Sequence, residues 1–262
     1  MDKVSKTLYI PLYGKAFVSR KGIILRDPKA EALWEAEGIP LKGKAASKWL
    51  AYYMAMRSAV YDGWLREQLE RDSEASVLHL GCGLDSRCLR VEHPGVLWYD
   101  VDFPEVIRER QRHFSADENY RMIGADLREE AWLHDTAGEN AVVVMEGVSM
   151  YIAPRDLKLL LERLGKRFRK VSLLMDCYTE LAAKLSRRHN PINSVGVTEV
   201  FDLDDPTAVE TGALRFLREK SLTPSELIGE LAPMEQRIFR KLYAGKLSQK
   251  LYKMYEYGRK DA

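Results

Sequence analysis

Short apolar runs alternate with longer amphipathic stretches through the middle of this 262-residue chain. Runs of this length that are apolar throughout are typical of strands buried on both faces of a sheet. Alternation of such strands with helices indicates an α/β fold with a mainly parallel central sheet and helices on both faces. The sequence therefore predicts strands at residues 77–80, 97–101, 120–123, 141–145 and 171–175.

Three further stretches show the periodicity of helices. Between residues 46 and 69, apolar residues recur every three or four positions, as on one face of a long helix. A second helix is predicted over 154–168, because its proline suits the first helical turn and leucines follow at helical spacing. A third helical pattern runs from Pro233 to near Tyr257, whereas residues 190–211 are rich in Pro, Gly and Asp and predict loops.

Composition excludes several classes of protein. No apolar stretch approaches the ~18 residues that a membrane span needs, and a net charge of +2 is too small to indicate nucleic acid as the main partner. The three cysteines lack the paired spacing of zinc ligands or of a disulfide framework, so no metal site is predicted. Because the first residues also lack the apolar core of an export signal, we expect a cytoplasmic protein.

The last part of the chain is basic. Residues 232–262 carry eight Lys or Arg against three Asp or Glu, with tyrosines interleaved. Two interpretations stay open: a surface for an acidic substrate or partner, and the solvated face of a terminal helix.

A glycine turn, Gly81-Cys82-Gly83, directly follows the first predicted strand, and the second strand ends at Asp102. A glycine turn that leaves a strand lets the backbone approach a ligand where a side chain would collide. An acid about twenty residues further on suits a ribose diol. These two features predict a cofactor that contains a nucleoside.

Acidic residues also follow the neighbouring strands. Asp126 follows the third strand, Glu146 follows the fourth, and Asp85 follows the glycine turn. Ligands of open parallel sheets bind outside the carboxyl ends of the strands, so these acids are candidate ligand contacts. Each of them, like Asp102, is also of a type that caps helices, and that alternative stays open.

Arg57 lies on or beside the apolar stripe of the helix predicted over 46–69. A buried arginine costs several kcal/mol unless an anion meets it, so a negative group is expected opposite. The anion is either part of a ligand or an internal carboxylate; a third alternative is that the arginine extends past the apolar stripe to solvent.

The kind of ligand follows from the charges. The turn lacks the third glycine of pyrophosphate sites, and the acids would repel a dinucleotide. S-adenosylmethionine has no phosphate. Acids suit its sulfonium, amino group and ribose, and an arginine suits its carboxylate. We therefore predict this cofactor, with a nicotinamide-dependent dehydrogenase as the alternative.

The segments LGCGLDSR (80–87), DVDFPEVI (100–107), ADLR (125–128) and EGVSMYI (146–152) resemble successive motifs of the leucine carboxyl methyltransferase superfamily. Its bacterial branch includes tetracenomycin-type polyketide O-methyltransferases. Similarity extends to IPLYGKA (10–16) and YMAMR (53–57), so the resemblance covers roughly residues 8 to 170. It implies a Rossmann-like class I methyltransferase fold over 1–262, with an N-terminal helical lid (1–70), a cofactor-binding α/β core (71–177) and substrate-side and C-terminal elements (178–262).

The resemblance also implies roles for individual residues. Arg57 would hold the methionine carboxylate, and Gly81 would lie under the methionine portion, with Gly83 and Asp85 of the same turn close by. Asp102 would bind the ribose hydroxyls. The remaining implied contacts are Asp126 and Leu127 at the adenine and Glu146 near the amino group and sulfonium.

The implied activity is an S-adenosylmethionine-dependent O-methyltransferase that acts on a carboxylate or hydroxyl oxygen of a small molecule, polyketide-like acceptors included. A carboxylate acceptor is ionised at neutral pH and needs no strong base. Tyr151 is expected either to position the acceptor oxygen or to pack as a plain aromatic, and His79 is expected to be a core histidine. A protein C-terminal carboxyl methyltransferase and a non-catalytic cofactor-binding protein stay as alternatives.

Overall fold

The computed structural model describes residues 5–37, 41, 43–91, 94–189 and 199–259. Within these residues the strands are β1 (Ser76–Leu80), β2 (Trp98–Asp102), β3 (Tyr120–Gly124), β4 (Asn140–Met145), β5 (Lys170–Tyr178), β6 (Arg215–Lys220) and β7 (Tyr252–Gly258). The helices are α1 (Ser5–Lys21), α2 (Pro28–Glu37), α3 (Lys48–Arg71), α4 (Arg87–Arg90), α5 (Pro104–Arg110), α6 (Pro154–Arg167), α7 (Glu180–His189), α8 (Ser225–Gly229), α9 (Pro233–Leu242) and α10 (Lys246–Gln249).

The strands form one sheet in the order β3-β2-β1-β4-β5-β7-β6. Strands β1 to β5 pair in parallel, whereas β7 is antiparallel to both β5 and β6. All five strands predicted from the apolar runs are confirmed, as are the helices predicted over 46–69 and 154–168, which are α3 and α6. The parallel part of the sheet sets the carboxyl ends of β1, β2, β4 and β5 along one edge.

Side chains of the parallel strands alternate between two apolar layers, because successive residues of a strand point to opposite faces. Leu78 and Leu80 of β1 join the core with the leucines of α6, and Val77 joins the core with Tyr61 and Trp64 of α3. Both faces are therefore covered, which is why each strand is apolar throughout.

The C-terminal part of the chain differs from its prediction. The helical pattern predicted from Pro233 to near Tyr257 is interrupted between α9 and the short α10 and is wrong beyond α10, where its final residues form β7 in the interior of the sheet. Tyr255 and Tyr257 pack in the α6 layer, while Met254 packs in the α3 layer. The interpretation as a solvated helix face fits Arg237, Arg240 and Lys241, which are exposed on α9. It is wrong for the residues of β7, because the edge of β5 supplies backbone partners to that segment.

Two further expectations concern loops and membranes. Residues 190–198 of the predicted loop region lie outside the described residues, and the remainder holds only a short 3-10 turn, Pro206–Val209. Among the helices described, none combines the length and apolar character required to cross a bilayer.

Candidate functional site

A cavity of about 310 Å³ lies at the carboxyl ends of the parallel strands, with residues of α1 and α3 in its wall. We call it the central cavity. It brings together most of the residues selected from the sequence, since its lining includes Arg57, Gly81, Gly83, Asp85, Glu146 and Tyr151. These residues come from helix α3, the β1–α4 turn and the segment after β4, so the fold collects them at the edge where ligands of parallel sheets bind.

The glycine turn forms part of the wall with bare backbone. Gly81 and Gly83 have φ values of 68° and 52°, in the left-handed region that glycine tolerates best. A side chain at position 81 would overlap Val148. Between them, Cys82 is buried, and burial raises the pKa of its thiol well above the usual range. Cys82 is therefore a turn residue and not a thiolate nucleophile.

Arg57 is buried, with 4% of its surface exposed, and it meets two carboxylates. Its Nε donates to Glu146 Oε1 (3.0 Å), and its Nη1 donates to Asp176 Oδ2 (3.0 Å) and to the Tyr252 hydroxyl (2.9 Å). Among the described residues, Nη2 makes no hydrogen bond, although Arg57 lines the central cavity. The internal carboxylates that the sequence left open are thus present, and one nitrogen stays available to a ligand.

Glu146 is held as an anion by two arginines. Besides Arg57, its carboxylate accepts hydrogen bonds from Arg87 and from the Ser58 hydroxyl (3.1 Å). Burial opposes ionisation, but Arg87 and Arg57 outweigh it and lower the pKa of Glu146 to about 2. Glu146 is therefore ionised at any physiological pH and is paired with both guanidiniums.

Asp85 ties the glycine turn to the N-terminal helix α1. It contacts Lys15 Nζ (2.9 Å), Arg87 Nη1 (3.1 Å) and Arg90 Nη1 (2.7 Å). Although burial opposes its charge, these three cations hold the pKa of Asp85 well below its usual range. The helix-cap alternative is wrong for this residue, because the N-cap of α4 is Ser86.

Asp102 is the last residue of β2, and its carboxylate is hydrogen-bonded to the glycine turn. Its Oδ2 accepts the Gly83 N–H (2.8 Å), and its Oδ1 accepts the Phe103 N–H (2.8 Å). It does not cap α5, whose N-cap is Phe103. Burial raises the pKa of Asp102 above 3.8 despite these two N–H donors. Each oxygen keeps a lone pair, as a contact with a ribose diol requires.

Asp126 and Leu127, like Asp102, do not line the central cavity. Asp126 accepts the Arg128 N–H (2.9 Å) and forms an ion pair with the Arg128 guanidinium, so it closes a local turn of the kind the capping alternative describes. Leu127 is buried in the α6 layer. Their contact with an adenine stays a prediction.

Apolar and aromatic side chains form much of the remaining lining, among them Leu50, Met54, Met150, Tyr151, Tyr178 and Tyr252. The rings of Tyr178 and Tyr252 meet edge to face at 5.2 Å. Burial raises the pKa of the Tyr151 phenol, so this group stays protonated at neutral pH. Its hydroxyl makes no hydrogen bond within the described part of the chain.

His79 lines the cavity, but both of its ring nitrogens already have partners within the protein. Its Nδ1 lies 3.1 Å from Asp100 Oδ1, and its Nε2 lies 3.0 Å from Arg87 Nη1. Because a guanidinium only donates, Nε2 accepts and Nδ1 carries the proton. The prediction of a core histidine with both nitrogens satisfied is confirmed.

Sequence reasoning missed two buried charged residues at this site, Arg87 and Asp176. Arg87 ends the segment LGCGLDSR (80–87), but no local pattern marks it as buried. Asp176 follows the predicted strand 171–175, so the rule that selected the acids after the other strands also points to it.

The residues present fit S-adenosylmethionine by the chemistry of their free positions. Arg57 Nη2 suits a carboxylate, the open lone pairs of Asp102 suit a diol, and the anionic Glu146 suits a cationic group. Bare backbone at Gly81 gives the close approach that a ligand needs. These residues are the ones that would hold the cofactor.

Comparison with known proteins also indicates S-adenosylmethionine as the cofactor. The family model of the leucine carboxyl methyltransferases matches residues 4–165. The tetracenomycin polyketide synthesis O-methyltransferase TcmP of Streptomyces glaucescens is 31% identical over 188 residues, which make up 70% of this chain and 69% of that protein. The S-adenosyl-L-methionine-dependent methyltransferase dpfgK of Gibberella zeae is 29% identical over 184 residues, 64% of this chain and 62% of that protein.

A solved structure supports the fold. Magnesium protoporphyrin IX methyltransferase from Synechocystis PCC 6803, with bound S-adenosylhomocysteine, superposes with a TM-score of 0.51 at 11% identity, over 88% of this chain and 93% of that one. At this identity the likeness concerns the fold alone, which is that of class I methyltransferases. With the family model matching well over half of its length, the chain belongs to the leucine carboxyl methyltransferase family and is an S-adenosylmethionine-dependent methyltransferase.

Proposed function

We propose that this protein is an O-methyltransferase that methylates an oxygen of an apolar small molecule, with a carboxylate as the favoured acceptor. One observation carries the proposal. A single cavity joins a linked group of buried charges, centred on Arg57, Asp85 and Glu146, to an apolar and aromatic wall. The charged group suits the polar portion of the cofactor, and the apolar wall suits an acceptor beside it.

In this proposal the cofactor contacts are those predicted from the sequence. Arg57 takes the carboxylate, Gly81 and Gly83 give close backbone approach, and Asp102 takes the ribose diol. Asp85 and Glu146 supply negative charge near the amino group and sulfonium, with Asp126 and Leu127 at the adenine. Residues 1–262 act as one domain, since β7 from the C-terminal part pairs with β5 of the core, and α1 with α3 covers the site.

Two features of the site favour a carboxylate as the acceptor. The bound cofactor supplies an electrophilic methyl group on a sulfonium, so transfer to a carboxylate cancels one positive and one negative charge, which a weakly solvating site favours. A hydroxyl acceptor would need a base, yet His79 has both nitrogens engaged and Glu146 is held in ion pairs.

Tyr151 is the residue that we assign to the acceptor oxygen. Its phenol stays protonated because burial raises its pKa, so it acts as a hydrogen-bond donor and not as a base. The O-methyltransferase TcmP, to which the chain is similar, supports an oxygen acceptor and a polyketide-like molecule as one candidate.

The test is methyl transfer from tritium-labelled S-adenosylmethionine to a panel of aromatic and aliphatic carboxylic acids, phenols, alcohols and a folded protein with a free C-terminus. A methyl ester releases volatile methanol in mild base, whereas a methyl ether does not, so the lability of the label identifies the acceptor oxygen. We expect base-labile product with apolar acids. Labelled product that resists base would replace the carboxylate by a hydroxyl, and transfer only to a protein C-terminus would refute a small-molecule acceptor.

A further inference from the structure

Asp176 is a buried carboxylate on β5, with no exposed surface, and it joins several elements beneath the central cavity. Its Oδ1 accepts the Tyr61 hydroxyl (2.7 Å) and the Gly147 N–H (2.7 Å). Its Oδ2 accepts Arg57 Nη1 (3.0 Å). Such a carboxylate is fixed by donors from α3 and from the segment after β4, so its position is set by the fold.

The same geometry fixes the Arg57 guanidinium. Glu146 accepts a hydrogen bond from Nε, and Asp176 and the Tyr252 hydroxyl accept from Nη1. Within the described chain, only Nη2 has no hydrogen-bond partner. A long arginine side chain has many rotamers, and a planar guanidinium held at two nitrogens has its third nitrogen aimed in advance.

Gly147 makes room for this arrangement. A Cβ at position 147 would lie 3.3 Å from Arg57 Nη2 and 3.4 Å from Nη1, and the φ of 71° is left-handed. The backbone therefore lies directly against the guanidinium and donates its N–H to Asp176. Three groups with no role in the sequence analysis (Gly147, Asp176 and Tyr252) thus converge on Arg57.

From these contacts we infer that Asp176, assisted by the Tyr252 hydroxyl, is a positioning residue that sets cofactor affinity by aiming Arg57 Nη2 at the methionine carboxylate. This inference rests on the proposed role of Arg57. Asp176 itself does not line the cavity, so its effect on the ligand passes through the arginine.

Asp176→Asn tests the inference with little change in shape. Tyr61 and Gly147 both donate to Oδ1, so they hold the amide oxygen on that side. The amide nitrogen then faces Arg57 Nη1, and two donors oppose each other. The variant keeps the contacts with Tyr61 and Gly147 and removes the one that positions Arg57.

Two ligands separate this effect from a general structural one. S-adenosylhomocysteine carries the amino acid portion, whereas 5′-methylthioadenosine shares the adenosine and sulfur but lacks the carboxylate. By titration calorimetry, Asp176→Asn should weaken S-adenosylhomocysteine roughly tenfold, the loss expected for one charge-assisted hydrogen bond, and leave 5′-methylthioadenosine unchanged. Equal weakening of both ligands, or of neither, would overturn the inference.

A matched control is Asp62→Asn. Asp62 is also a buried acid; it accepts from Arg87 Nε (2.7 Å) and Arg90 Nε (2.8 Å) but does not contact Arg57. It should leave the ratio of the two affinities unchanged. A selective loss of S-adenosylhomocysteine in this control as well would show that any buried acid has the effect, and the assignment to Asp176 would fail.

Tyr252→Phe provides a second route in case Asp176→Asn does not fold, because it removes only the hydroxyl that accepts from Arg57 Nη1. It should produce a smaller loss that is again selective for S-adenosylhomocysteine. In the Arg57→Ala background, neither substitution should weaken this ligand further; additive losses would contradict action through Arg57. Failure of the wild-type protein to bind S-adenosylhomocysteine would instead refute the cofactor assignment itself.

Discussion

Gly81 and Val148 approach each other so closely that a Cβ at position 81 would overlap Cγ2 of Val148. Gly81 also has a φ of 68°, so any other residue would be strained there even in open space. The contact joins the turn after β1 to the segment after β4 and leaves bare backbone in the cavity wall.

Gly81→Ala should therefore destabilise the protein by about 2 kcal/mol or more and abolish measurable binding of S-adenosylhomocysteine, because strain and overlap add. Urea unfolding and titration calorimetry measure the two effects. Gly63→Ala is the control, since that position lies within α3 with open space around it, and it should be neutral or slightly stabilising. Adding Val148→Ala should restore part of the stability. Wild-type stability and affinity in Gly81→Ala would show that the turn tolerates a side chain.

Removal of the groups proposed to hold the two ends of the cofactor should weaken it strongly. Arg57→Ala and Asp102→Ala are each expected to lower affinity for S-adenosylhomocysteine by well over tenfold, the order of loss for a charged hydrogen-bonding group, while circular dichroism stays that of a folded protein. Glu105→Ala removes an exposed acid of α5 and should have no effect. Unchanged affinity in both variants would dismiss the proposed contacts.

Acid should destabilise the fold through Glu146, whose pKa lies at about 2 against an ordinary value of 4.5. A carboxyl with a depressed pKa in the folded state contributes stability above its unfolded value, and this contribution is lost as pH falls toward the folded value. The free energy of unfolding should thus decline between about pH 4.5 and 2. Asp100, also held at about 2 because Arg110 outweighs burial, adds in the same direction.

Glu146→Gln checks the assignment of this pH dependence. It should be less stable than the wild type at pH 7 and converge with it at low pH, where both side chains are neutral. Glu105→Gln, which changes an exposed acid of α5, should run parallel to the wild type throughout. A constant gap between Glu146→Gln and the wild type from pH 7 to 2 would argue against ionised Glu146.

Tyr151→Phe should lower kcat for the best acceptor by about tenfold, because one hydrogen bond to the acceptor oxygen is lost, and leave the KM for S-adenosylmethionine unchanged. Since burial raises the pKa of the phenol, the wild-type rate should show no ionisation of Tyr151 up to pH 9. Steady-state kinetics with each substrate varied in turn give both values. If kcat and both KM values match the wild type, Tyr151 is only a packed aromatic.

Many residues of the site could be predicted from the sequence, because their positions follow from the apolar runs and from the residues directly after them. Apolar runs gave the strands β1 to β5, and the residue after a strand must lie at the common edge of a parallel sheet. That rule selected Asp102, Asp126 and Glu146, and the glycine turn selected Gly81. It did not separate Asp126, which closes a turn with Arg128 outside the cavity wall, from Glu146 within it. Side-chain direction after a strand depends on neighbours that the pattern does not identify.

The C-terminal strand shows the opposite case. The pattern that begins at Pro233 predicts a helix to near Tyr257, yet the segment around Tyr255 and Tyr257 becomes β7 because β5 presents unpaired backbone groups to it. Arg57 and Asp176 are likewise 119 residues apart, and the sequence around either residue does not indicate that the two side chains pair.

By itself, the amino-acid sequence determined the parallel sheet, the bare-backbone turn and a cluster of acids at one sheet edge, since each depends on periodicity or on the order of residues along a strand. Only the tertiary structure decided which charges pair, that Arg57 Nη2 has no hydrogen-bond partner among the described residues, and that β7 completes the sheet. Those outcomes require distant segments to approach within hydrogen-bond distance, and burial then forces every charge to find a partner.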